Sequence, residues 1–112
     1  MQTVVHLLSG DEGEQDTSLA IARNLVADES GRIDDVAVVI QASGIEVARA
    51  GGRADDDIQE LLDEGVAFKA CSNTLETVDF DESDLIDGIE TVPEGAVEVT
   101  QLQTDGYAYL RP

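Results

Sequence analysis

The one cysteine of the chain, Cys71, closes an apolar run, Val66-Ala67-Phe68-Lys69-Ala70-Cys71, and is followed by the polar Ser72-Asn73. Gly65 before the run and Ser72-Asn73 after it suit an interior strand of a parallel sheet. Asn73 can cap a following helix, and Glu76 lies three residues on, where a capping box places its acid. A thiol at such a junction meets unpaired backbone N–H groups and the positive end of a helix dipole, and both favour the reactive thiolate. No other stretch offers a nucleophile together with a structural reason for its activation. Against this, a lone cysteine is most often a small buried hydrophobe, and Glu76 and Asp79 oppose thiolate formation, so the net effect stays open.

Two further residues are candidates to support Cys71. Lys69, the only lysine, either assists the thiolate or reaches solvent along a buried stem. His6 alternates with Val5 and Leu7 on the first strand; it is a satisfied core or edge histidine, or a base for Cys71 if the strands place both on one face. Other chemistries find less support. Ser9-Gly10-Asp11-Glu12-Gly13-Glu14 stands where a phosphate cradle would, but it matches neither nucleotide fingerprint and its acids repel phosphate. The acids from Asp79 to Glu90 copy parts of a calcium loop, yet Asp84 replaces the turn glycine and no adequate helix precedes them. One His and one Cys make no tetrahedral zinc set. No cofactor and no metal are expected. A hydrolase built on His6 and a carboxylate has no visible constellation.

The elements that must position these residues alternate along the chain. Residues 3–8 read as a strand and 17–27 as a helix capped by Asp16 or Thr17, with Leu19, Ile21, Ala22, Leu25 and Val26 at helical spacing. Residues 33–40 give a strand apolar on both faces, and 44–49 a short helical turn. A helix over 55–63 carries three aspartates at its positive end and is terminated by Gly65. After the Cys71 strand come a short helix over 74–78, a turn over 81–86, a strand over 89–92, a helix over 96–102 opened by Pro93 in the first turn, and a last strand over 107–110. Such alternation predicts an α/β fold with a mainly parallel sheet of roughly five strands, in one domain over 1–112. Loops at the carboxyl ends of those strands would carry the site.

Composition narrows the setting. With 25 Asp and Glu against 6 Lys and Arg, the formal charge is −19, and the acids are spread over every polar segment. A folded domain so charged repels itself at low salt. The simplest explanation is a halophilic source with multimolar internal salt; the rival is an acidic surface for a basic partner. No basic patch exists to replace counterions on a nucleic acid, so direct nucleic-acid binding is disfavoured. No apolar run approaches the about 18 residues of a membrane span. The start has no basic leader, so a cytoplasmic protein without a signal peptide is expected, and one cysteine agrees with a reducing compartment.

The order Cys71-Ser72-Asn73-Thr74-Leu75, then Val92-Pro93-Glu94-Gly95-Ala96-Val97-Glu98, then Leu102-Gln103-Thr104-Asp105-Gly106-Tyr107-Ala108-Tyr109 resembles the DsrE/DsrF-like family of small, YchN-like proteins. The resemblance covers nearly the whole chain and is strongest from Gly65 onward. It implies a three-layer, flavodoxin-like α/β fold and a sulfur-relay role. The family cysteine accepts sulfane sulfur as a persulfide and passes it on; that residue carries over to Cys71, and Asn73 matches the motif without an assigned role. It also implies trimers or hexamers with the cysteine near a subunit interface, and donor and acceptor proteins as partners. A sulfurtransferase-like persulfide carrier is therefore one expectation, and a non-catalytic oligomeric binding or assembly module of the same fold is the other.

The charge yields a first prediction. The thermal midpoint should climb as salt rises toward about 1 M, where the Debye length falls to about 3 Å. A midpoint indifferent to salt would show that the carboxylates do not repel one another.

Overall fold

Runs that are apolar at successive positions bury both faces of a strand, so they belong in a sheet covered on each side. Val4-Val5 and Val36-Ala37-Val38-Val39-Ile40 are such runs, and every one of these residues is buried. In the computed structural model, which describes residues Met1–Pro112, they lie in β1 (Gln2–Leu7) and β2 (Asp35–Ile40). β3 (Ala67–Cys71), β4 (Glu90–Val92) and β5 (Tyr107–Leu110) complete the sheet. Its order is β4-β3-β2-β1-β5, and all four pairings are parallel. The doubly wound form of the flavodoxin-like class is kept, with the order 4-3-2-1-5 in place of 2-1-3-4-5.

Helices cover both faces unequally. On one face Val5, Leu7, Val38, Ile40, Phe68 and Ala70 pack with Leu19, Ala22, Ile58 and Leu61, which belong to α1 (Glu12–Ala27) and α2 (Asp55–Asp63). On the other, α4 (Gly95–Thr104) lays Val99 and Leu102 on Val4, Ala37 and Val39. Between β3 and β4 stands the short α3 (Ser72–Thr77). No helix is long and apolar enough to cross a membrane.

Strand and turn ends shift by one to three residues, β2 for instance starting at Asp35 and not at residue 33, and three helix starts differ from the sequence expectation for physical reasons. α1 begins at Glu12 and not at residue 17, because Asp11 caps it by accepting the Glu14 N–H at 2.9 Å. Glu12 and Glu14 then sit at the positive end of the helix, which offsets the roughly 1 kcal/mol that Gly13 costs. α3 begins two residues early with Cys71 itself at the N-cap, and Asn73 caps nothing. Pro93 does not open α4 as its first helical residue; Glu94 is the cap and Gly95 the first residue of the helix. By contrast α2 spans the expected 55–63, and Gly65 follows it with φ +96.

Between β2 and α2 the chain makes a 3₁₀ turn, Ala42–Ala48, pressed on the end of β1. A Cβ at Gly44 would lie 2.8 Å from the Leu7 carbonyl oxygen, so only glycine fits there.

Phe68 is the largest fully buried side chain. Phe68→Ala should lower the unfolding free energy by about 3–5 kcal/mol in denaturant titrations; a loss below about 1 kcal/mol would contradict the packing around it.

Candidate functional site

Strand register brings the site together. Cys71 on β3 stands opposite Val92 on β4, so the chain leaving β4 runs beside the first turn of α3. There the Asn73 N–H donates to the Pro93 carbonyl at 3.3 Å, and Asn73 Nδ2 donates to Glu94 Oε2 at 3.1 Å. These two bonds set the Glu94 carboxylate against the thiol. Cys71 Sγ lies 3.7 Å from Glu94 Oε1, and Cys71 has no exposed surface.

Glu94 collects further donors. As the cap of α4 it accepts the Ala96 N–H on Oε1 at 3.2 Å. Gln41, the residue after β2, reaches the same oxygen with Nε2 at 3.5 Å. Gly95 makes room for it, since a Cβ there would sit 2.7 Å from Gln41 Oε1. The carboxamide continues to the buried His6, whose Nε2 lies 2.6 Å from Gln41 Oε1. His6 Nδ1 is 2.6 Å from the hydroxyl of Tyr109, and the two rings meet edge-on with centroids 5.5 Å apart. An ionised carboxylate only accepts, so Gln41 turns its amino group to Glu94 and its oxygen to the ring. His6 Nε2 then carries the proton, and Nδ1 accepts from Tyr109. The chain Tyr109–His6–Gln41 thus points donor after donor toward Glu94, and no buried side-chain nitrogen or oxygen lacks a partner.

Of the residues singled out in the sequence, Cys71 and Asn73 meet through Glu94. Lys69 does not join them: its Nζ pairs with Glu98 Oε2 at 2.6 Å, with both side chains about four-fifths buried. His6 does not touch Cys71, because β2 separates β1 from β3; it reaches the site only through Gln41, and both ring nitrogens are occupied. The thiol also meets no N–H of α3. Its polar neighbour is an acceptor, not the donors expected at a helix start. Away from the site, at the amino-terminal end of the sheet where Tyr107 pairs with Gln2, burial holds the Tyr107 phenol above its ordinary range, with Asp35 adding to this and Lys69 opposing it.

Glu94, Gln41 and Tyr109 were not visible as site residues in the sequence. The one local cue was Pro93-Glu94-Gly95, an acid between two backbone-restricting residues just before a helix. The acids from Asp79 onward hold no ligand geometry: Asp81 and Asp84 cap a 3₁₀ turn reciprocally. No three His, Cys, Asp or Glu side chains are grouped to hold a metal ion.

With this geometry in place, the comparisons are specific. The model of the DsrE/DsrF-like family matches residues 2–112. The chain belongs to that family. A solved protein of unknown function from Methanobacterium thermoautotrophicum is 35% identical, with a TM-score of 0.93 over 99% of this chain and 98% of that one. The ychN protein from E. coli shares the fold at 21% identity and a TM-score of 0.82, covering 100% of both chains. So does a conserved protein of unknown function from Bacteroides thetaiotaomicron, at 16% identity and a TM-score of 0.77, over 99% of this chain and 94% of that one. No match is found among curated proteins.

The close approach at Gly95 is testable. Gly95→Ala should displace the Gln41 carboxamide and shift the His6 ring ¹⁵N resonances, while stability changes by less than about 1 kcal/mol, as alanine is a good helix residue. Unmoved His6 resonances would mean that Gln41 does not bind the ring as described.

Proposed function

We propose that this protein is a sulfur-relay protein, a persulfide carrier of the sulfurtransferase type, in which Cys71 accepts sulfane sulfur and passes it to a partner protein. Membership of the DsrE/DsrF-like family supports the sulfur-relay role in general. The observation that carries the reading to this residue is the position of the sole thiol. It stands at the carboxyl-terminal edge of the sheet, where α/β folds place their sites, and a polar network from four strand ends converges on the carboxylate beside it.

The transferred sulfur needs no second carrier atom on the protein. Cys71 attacks the outer sulfur of a donor R–S–SH, the donor S–S bond breaks, and R–SH leaves, so that Cys71–SH becomes Cys71–S–SH. With no second cysteine in the chain, the transferred sulfur can leave only by attack from an acceptor thiol or another nucleophile of a partner. Access requires local opening, because Cys71 is covered. Of the residues that touch the Glu94 carboxylate, Asn73 is exposed, so release of its contact with Glu94 is a low-cost opening. Homo-oligomers, trimers or hexamers, belong to the same reading.

The zero exposure of Cys71 favours a second reading, a non-catalytic binding or assembly module in which the thiol is only packed. The two part cleanly in experiment. Reduced protein incubated with a small persulfide should gain one sulfur mass on Cys71, and Cys71→Ser should gain none. Folded protein that takes up no sulfur, with a thiol inert to alkylation until denatured, would leave the module reading standing.

A further inference from the structure

Sulfur transfer to a protonated thiol needs a group to take its proton, and the surroundings of Cys71 contain few. His6 is turned away and bonded at both nitrogens. Lys69 is a cation held by Glu98 and has no lone pair to offer. The acceptor that touches the thiol is Glu94 Oε1, at 3.7 Å. Resting on the sulfur-relay reading, we propose that Glu94 is the general base of the transfer, and that Gln41, His6 and Tyr109 are positioning residues that aim its carboxylate at Cys71.

In the step, the Cys71 S–H bond breaks as Sγ attacks the outer sulfur of R–S–SH, and the proton moves to Glu94 Oε1. The donor S–S bond breaks with its electron pair on RS, which takes the same proton from Glu94. Cys71–S–SH and R–SH result, and the carboxylate is regenerated with no external oxidant or reductant. When Asn73 lets go of Oε2 to admit the donor, the Ala96 N–H and Gln41 still hold Oε1 beside the sulfur, so opening and proton transfer are compatible.

The outer chain acts through tautomer control. Tyr109, 38% exposed, donates to His6 Nδ1 and so keeps the ring proton on Nε2, which donates to Gln41 Oε1. Remove the hydroxyl and the ring is free to carry its proton on Nδ1. Nε2 then becomes an acceptor, Gln41 turns over, and its oxygen faces the carboxylate in repulsion.

The test is the initial rate of sulfur loading from glutathione persulfide, read by intact mass, at about pH 7 and at about pH 9.5, above the ordinary thiol range. E94Q should load about a hundredfold more slowly than the unaltered protein near neutrality and recover to near the unaltered rate at high pH, where solvent removes the proton. Y109F should show a smaller loss with the same recovery, together with a change of His6 tautomer in its ¹⁵N spectrum. An E94Q rate that is unchanged, that falls equally at both pH values, or that rises near neutrality because a repelling charge is gone, overturns the base. Y109F with native rates and tautomer overturns the positioning chain. If the unaltered protein loads no sulfur, the relay reading fails by itself. Alkylation of Cys71 by iodoacetamide in the same variants at the same two pH values then decides the role of Glu94, by the same pattern or its absence.

Discussion

The pairing of β3 with its two neighbours sets how far every polar side chain at the carboxyl-terminal edge can reach. Cys71 stands opposite Val92, and Ile40 opposite Ala70. Glu94 and Gln41 therefore leave the sheet on either side of the thiol. Side chains alternate across a strand, so a slip of one residue in either pairing would send Cys71 to the α1 and α2 face and dissolve the cluster. The buried aliphatic residues on both faces hold that register. The large core beneath α1 and α2 and the small one beneath α4 act on the site in this indirect way.

The α4 side is where polarity enters the interior. Its apolar core is thin, Val4, Ala37, Val39, Val99 and Leu102, and polar pairs stand at its margins. Lys69 with Glu98 ties β3 to α4, and the Tyr109–His6–Gln41–Glu94 chain closes the carboxyl end. Buried polar groups are costly unless each is satisfied, and here they are. Outside, the balance is different. Arg23, Arg49 and Arg53 pair with nearby carboxylates, yet 25 acids face only 6 basic residues, so most carboxylates have no basic partner.

Much of the architecture was legible in the sequence, because apolar periodicity and glycine stops are local signals. The span of α2, the final strand and the placing of Cys71 at a strand-to-helix junction all come from neighbours along the chain. The start of α1 was not, since its cap at Asp11 lay inside a stretch whose glycines and acids read as loop. The site was legible only in part, for a deeper reason. His6, Gln41, Cys71, Glu94 and Tyr109 come from five strand ends with no fixed spacing. Only the strand order brings them together, and no window along the chain holds more than one or two. Asn73 shows the same limit: it looks like a cap in sequence, and its side chain goes instead to a residue twenty-one positions away.

What remains at the centre is a thiol held by a carboxylate beneath a satisfied network. Because the protein has a single cysteine, its S–H stretch gives a single infrared band, free of overlap from other thiols. That band should be shifted to lower frequency by donation to Glu94, vanish in Cys71→Ser, and move toward the free-thiol position in Glu94→Ala. A band already at the free-thiol position in the unaltered protein would show that Cys71 and Glu94 are not bonded, and the account of the site would fall with it.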